Sequence, residues 1–412
     1  MNFPETAKKL YPENQWEQQA ERYNKAAERF ETLFGTAYER IFSAPGRSEI
    51  CGNHTDHNMG KAVGASVDLD ILAFVKPRAD QKVTILADGF APVEVDLTNT
   101  ALREEEKGDS AGLVRGVAAK MMELGYRVGG FDAYTTSNVF KGSGLSSSAA
   151  FEVVTVAILD HLYNEGKMPP KEMAIISQFA ENVYFGKASG LLDQLSCAYG
   201  GMIAIDFENP KDPIVRPIDF DFATTGHCMV ITDVHSDHAD LTDDYVAIKS
   251  EMQAVANSFG KEYLRQVEEA EFEAMLPELH KTLSERALIR AYHYFEENKR
   301  VDALHDALQA HDFEQFKNIV TASGNSSYMY LQNIYSDKKP TSQAISLALC
   351  ITQKMLAGKG AWRVHGGGFG GTIQAYVPIE DAESYVREMN RIFGEGSSCV
   401  LQIRPCGPVK VQ

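Results

Sequence analysis

The chain has 412 residues, 44% of them hydrophobic, and a formal net charge of −17. That length predicts two or three domains with sizeable cores, and that charge argues against nucleic acid, whose backbone the average field repels. The opening fifteen residues are polar and proline-broken, and no run approaches the roughly eighteen apolar residues of a membrane span, so a soluble, cytoplasmic protein without membrane contact is expected.

In chain order, Trp16, Ala20, Tyr23, Ala27, Phe30 and Leu33 recur at helical spacing and predict an amphipathic helix over residues 15–35. Residues 43–52 read as strand, turn, strand. The loop after them packs Asn53, His54, Asp56, His57 and Asn58 into six residues. It is either a solvated hairpin tip or a recognition loop for a polyhydroxylated ligand. Residues 71–75 and 83–86 read as strands, 113–124 as a helix, and 131–139 alternate as a strand.

That strand runs into Lys141, Gly142, Ser143, Gly144, Leu145, Ser146, Ser147 and Ser148, then a helix marked by Phe151, Val154, Ile158 and Leu162, with Glu152 and Asp160 between them. Strand, glycine-serine loop, helix is the order of a phosphate cradle. The glycines let backbone N–H groups approach an anion, and the serines add hydroxyl donors where the helix begins. An ordinary N-cap is the plainer reading, but a cap needs one serine, not three. The Walker pattern is absent from the chain, so a nucleotide bound here is held by another design.

Residues 171–185 read as a helix containing Glu181, and 186–201 as a turn entering a short helix. There Asp193 stands among Leu191, Leu192 and Leu195, either as an exposed helix residue or as a placed carboxylate. Pro210, Pro213 and Pro217 suggest a crossing between domains over 207–217. Residues 229–234 read as a strand ending in H-S-D-H at 235–238, and 244–355 as mostly helical, including 245–259, 285–298 and 342–356. Gly366, Gly368 and Gly371 satisfy G-x-G-x-x-G, but the strand that follows at 372–377 excludes a dinucleotide turn and points to a close-approach hairpin. A helix over 382–393 and a strand over 400–404 close the chain. The six cysteines form no C-x-x-C pair and are expected to be reduced.

Taken together, three stretches resemble the GHMP small-molecule kinases, and within them the galactokinases. A-P-G-R-S-E-I-C-G-N-H-T-D-H-N is similar to that family's sugar signature, A-P-G-R-x-N-x-I-G-E-H-T-D-Y-N. G-S-G-L-S-S-S-A-A resembles its phosphate loop, and H-G-G-G-F-G-G its C-terminal glycine motif. The resemblance implies a two-domain α+β fold, with a domain like the second domain of ribosomal protein S5 over 1–212 and a ferredoxin-like domain over 213–412. It implies ATP and Mg²⁺ as cofactors, a monomer or weak homo-oligomer, and phosphorylation of the C1 hydroxyl of galactose. Position by position, it makes Asp193 the catalytic aspartate and Arg47 its neighbour. It assigns Asn53, His54, Asp56, Gly190 and Tyr245 to the sugar, residues 141–148 to the phosphates, and Ser147 and Glu181 to the metal.

The chain departs from the signature at Asn53, where the family has glutamate, and at His57, where it has tyrosine. An amide at 53 donates to a carboxylate that a glutamate would repel, which makes galacturonate the rival substrate. Two readings stand further off. H-T-D-H at 54–57 with H-S-D-H at 235–238 suggests half-motifs of a binuclear metallohydrolase, and a sugar sensor would keep the loops without the chemistry.

Overall fold

The computed structural model describes residues 3–139, 145–235, 241–369 and 371–412. Lys141, Gly142, Ser143, Gly144 and most of the H-S-D-H stretch lie outside the described residues. A short helix α1 (Glu5–Lys8) precedes α2 (Trp16–Phe34), which buries Gln19, Tyr23, Ala26 and Phe30. Tyr23 and Phe30 anchor the expected stripe, but it is turned toward Gln19 and Ala26 and leaves Leu33 exposed.

β1 (Arg40–Cys51) and β2 (Lys61–Pro77) form a long antiparallel pair. Residues 43–51 therefore lie in one strand, and not in strand, turn, strand. Pro45 and Gly46, which suggested a turn, produce a register shift between Pro45 and Arg47 instead, because proline supplies no N–H to the ladder. Then come β3 (Lys82–Leu86), β4 (Val93–Asp96), α3 (Ser110–Glu123), β5 (Phe131–Ser137), α4 (Ser147–Tyr163), α5 (Pro170–Phe179), α6 (Leu192–Tyr199), β6 (Met202–Asp206) and β7 (Ile214–Ile218). The second half runs β8 (His227–Asp233), α7 (Thr242–Ser258), α8 (Glu269–Leu279), α9 (Glu285–Gln309), α10 (Phe313–Ser326), α11 (Ala344–Leu356), β9 (Ala361–His365), β10 (Thr372–Pro378), α12 (Ile379–Phe393), β11 (Ser398–Leu401) and β12 (Val409–Lys410).

The first sheet has eight strands, ordered β12-β1-β2-β5-β3-β4, with β6 paired to β2 and β7 to β6. The crossing expected over 207–217 is a hairpin of this sheet, since Met202 pairs with Ile218 and Asp206 with Ile214. The second sheet is antiparallel, β11-β8-β10-β9. Strand, helices, two strands, helix, strand in that spatial order is the ferredoxin-like arrangement, so the fold is α+β. β9 and β10 form the hairpin expected around the second glycine cluster, with His365 opposite Thr372.

Helices α3 to α6 cover one face of the first sheet and α2 the other. Helix α4 is buried almost all round, with Glu152 and Asp160 inside. A further core joins the two halves: Ile50, Val63 and Met202 of the first sheet pack with Met229 and Tyr376 of the second and with Leu304 and Leu308 of α9. Among the described residues, no helix is long and apolar enough to cross a membrane.

Candidate functional site

The register shift in β1 frees the N–H of Arg47 from the ladder, and it donates instead to the carbonyl of Leu145, at 3.1 Å, where the serine loop meets α4. Gly46 permits that approach: a Cβ there would lie 3.0 Å from the same carbonyl and 3.2 Å from Val139. On the other side, the Arg47 guanidinium grips Asp193, in the first turn of α6, through Nε to Oδ1 and Nη2 to Oδ2, both 2.7 Å. Bidentate pairing fixes the carboxylate plane as well as its charge. Burial alone would raise the Asp193 pKa. The charge and hydrogen bonds of Arg47, with a hydrogen bond from Ser146, outweigh it and hold the carboxyl below its ordinary value.

Ser146 is not the ordinary cap of the plainer reading. It occupies the N-cap position with a left-handed φ of 55° and makes no side-chain cap bond; its hydroxyl serves Asp193 instead. Leu145 is buried in the core between the two sheets. Beyond α5 the helix widens into a π turn over Ala180–Phe185, a departure frequent at functional sites. It places Glu181, 1% exposed, against the start of α4. The hydroxyl that reaches Glu181 is that of Ser148, at 2.9 Å. Lys187, Ser189 and Gln194 supply the remaining donors, at 2.8, 2.6 and 2.8 Å. A carboxylate ringed by hydroxyls suits a hard cation such as Mg²⁺ in kind, since Mg²⁺ binds through one or two carboxylates plus phosphate oxygens. Lys187, with 56% of its side chain accessible, is the cation now against it.

The polar loop after β1 folds onto the glycine hairpin. His54, at φ 57°, donates from Nε2 to the Gly367 carbonyl at 3.0 Å. Tyr245 of α7 stacks beside His54 and donates to the Gly368 carbonyl at 3.1 Å. Asp56 abuts Gly190, where an added Cβ would collide with Oδ2. Burial first, and then the charges of Glu49 and Asp193, raise the Asp56 pKa, against a lowering pull from His54. Asp56 therefore shares an electrostatic neighbourhood with Asp193.

Asn53 does not face outward. It is 1% exposed. Its Nδ2 donates to Glu49 Oε1 at 3.0 Å and to the Gly366 carbonyl at 2.8 Å. Its Oδ1 accepts from Ser327 at 3.2 Å and from Asn333 at 2.8 Å. Two N–H groups and two lone pairs are all an amide has, so the Asn53 side chain is spent on the protein. Its carbonyl is held from behind by His293 Nε2 at 2.9 Å.

Burial, with smaller contributions from Arg300 and His54, pushes the His293 pKa down to about 4, against raising pulls from Glu297 and Asn53. The unfolded chain takes up this proton near its ordinary value and the folded chain only near 4. Stability from this residue is thus full above about pH 6.5 and lost as pH falls, by about 2 kcal/mol between pH 7 and 5. The thermal midpoint of His293→Gln should accordingly depend less steeply on pH over that range than that of the unsubstituted chain, as scanning calorimetry would show.

Sequence reading missed Gln194, which donates to both Glu181 and Glu152, although it sits beside Asp193. It also passed over Glu49, which stands where the quoted signature has asparagine. His54 and His57 lie 5.8 Å apart by ring centroid, yet among the described residues no three His, Cys, Asp or Glu side chains are grouped to hold a metal.

Residues 112–201 match the GHMP kinases N terminal domain, and residues 28–77 the galactokinase galactose-binding signature. The chain is 26% identical to the galactokinase of Clostridium tetani, over 90% of this chain and 93% of that one. It is 28% identical to the galactokinase of Streptomyces coelicolor, over 89% and 92%. Among solved structures, Lactococcus lactis galactokinase complexed with galactose superposes with a TM-score of 0.79 at 25% identity, covering 94% of this chain and 99% of that one. A mevalonate kinase, at 17% identity and a TM-score of 0.64, shares the fold, covering 89% of this chain and 99% of that one.

Proposed function

Because this chain is a sugar kinase of the GHMP family, we propose that it transfers the γ-phosphoryl group of ATP to the C1 hydroxyl of galactose, giving galactose 1-phosphate and ADP. The observation that carries this reading is the Asp193 carboxylate, held by Arg47 and Ser146 where the serine loop enters α4. An acid that accepts a hydroxyl proton thereby lies against the elements proposed to cradle the phosphates.

Phosphoryl transfer passes through a loose transition state that asks for position and charge neutralisation more than for a strong base. A carboxylate with a depressed pKa is a weak base but is ionised whenever the acceptor arrives. In this reading Asp193 takes the C1 hydroxyl proton, and Arg47 keeps the carboxylate aimed and charged. The backbone and hydroxyls of residues 141–148 receive the triphosphate at the N-terminus of α4, where the helix dipole favours anions. Glu181 and the α4 serines would hold Mg²⁺, which supplies charge neutralisation on the phosphates when bound. In this reading His54, Asp56, Gly190 and Tyr245 line the acceptor side, and His54 and Asp56 support galactose through the signature they belong to.

The case for galacturonate began with an amide at 53 free to donate to a carboxylate. With that amide spent on Glu49, Gly366, Ser327 and Asn333, it is not free to donate to a substrate carboxylate, which supports galactose over the acid. The test is product identification after incubation with MgATP and, separately, galactose, galacturonate and N-acetylgalactosamine. Phosphorus coupling to the anomeric proton of galactose is the expected result. A strong preference for galacturonate, or phosphorylation away from C1, would overturn it.

A further inference from the structure

The quoted signature has asparagine four residues before its glutamate, whereas this chain has Glu49 and Asn53: acid and amide have changed places. The two side chains touch, with Asn53 Nδ2 on Glu49 Oε1 at 3.0 Å. Arg363 of β9, fully buried, donates from Nη2 to the same oxygen at 2.9 Å. Glu49 Oε1 is thus doubly engaged, while the side chain keeps 11% of its surface accessible. Oε2 has no hydrogen-bond partner among the described residues and is not among the enclosed orphan atoms.

The direction it faces follows from the ladder. Arg47, Ser48 and Glu49 pair in unbroken register with Ser66, Ala65 and Gly64, so Arg47 and Glu49 project from the same face of β1. That face meets α6, since a Cβ at Gly64 would run into Ser196, and α6 carries Asp193. Glu49 also acts electrostatically on both Arg47 and Asp56. An acid anchored through one oxygen, with the other open, therefore lies among the groups assigned to the acceptor.

We propose that Glu49 is the specificity-determining residue of the acceptor site, accepting a hydrogen bond from a sugar hydroxyl through its open oxygen and repelling a carboxylate at that position. Asn53 is a positioning residue for Glu49. The carboxyl that discriminates thus reaches the site from within β1, braced by Arg363, instead of from the loop.

This rests on the galactose reading, and the test separates the two. With the full chain and saturating MgATP, galactose is the substrate and galacturonate a competing inhibitor, for the unsubstituted chain and Glu49→Gln. The expected result is a KM for galactose raised about 10-fold or more, with kcat changed less, and a galacturonate Ki lowered relative to that KM by at least about 10-fold. KM and Ki come from one preparation and do not depend on the fraction folded. An unchanged ratio of Ki to KM overturns the proposal. No turnover of galactose by the unsubstituted chain overturns the galactose reading itself. Should Glu49→Gln fail to fold, Glu49→Asp carries the test: the shortened acid should raise the galactose KM while galacturonate stays excluded, and an unmoved KM overturns the proposal.

Discussion

If Asp193 is the proposed general base, replacing it with asparagine should lower turnover by about 10²–10⁴-fold, the usual contribution of such a group, while nucleotide affinity should stay close to that of the unsubstituted chain. The amide keeps the shape of the side chain but offers an N–H where a carboxylate oxygen now meets Arg47. Part of the loss is therefore positional, arising from a guanidinium facing a donor. ATP titration by calorimetry alongside steady-state turnover separates the two properties. Near-normal turnover would remove Asp193 from the mechanism.

Arg47→Met has two consequences from one cause. Only 12% of the Arg47 side chain and 25% of the Asp193 side chain are accessible, and removing one partner strands the other charge. Stability should fall by about 3 kcal/mol, the low end for a broken buried pair because Asp193 retains some solvent. Burial is the largest influence on Asp193 and raises its pKa; Arg47 is the main influence holding it down. Without the guanidinium, the carboxyl protonates at higher pH. The acid limb of the pH–rate profile therefore moves upward, and turnover at neutral pH falls by about 10²-fold or more. A stability loss without movement of the acid limb would make Arg47 structural only.

What could be read from the sequence was local. Strand β5 and helix α4 announce themselves between residues 131 and 163, because hydrophobic period and turn chemistry are written side by side. Asp193 was visible as an acid among leucines, although its partner lies 146 residues away in sequence. The orientation of Asn53 was not legible, because it is decided by Gly366, Ser327 and Asn333, more than 270 residues distant. A side chain whose partners arrive from another sheet carries no mark of them in its own segment. For the same reason the burial of Glu152 and Asp160 was not legible: other parts of the chain close over α4, and nothing in the 3.6-residue period records it. The π turn that sets Glu181 was also hidden, since residues 171–185 read as one continuous helix. The proline-rich stretch over 207–217 misled because proline is compatible with an edge strand as well as with a linker, and β7 is an edge strand.

The first sheet is finished by a strand made long after its neighbour. β12 pairs with β1 through Phe42 opposite Lys410 and Ser43 opposite Val409, and buried Arg404 bonds to Ser43 and Asp70. At ribosomal speeds, roughly 20–70 s separate the synthesis of β1 from that of its outer neighbour. During that interval the edge of β1 at Phe42 and Ser43 stands without its partner. That edge of the first sheet is therefore open to mispairing until β12 is made, and co-expressed chaperones should raise the yield of soluble protein.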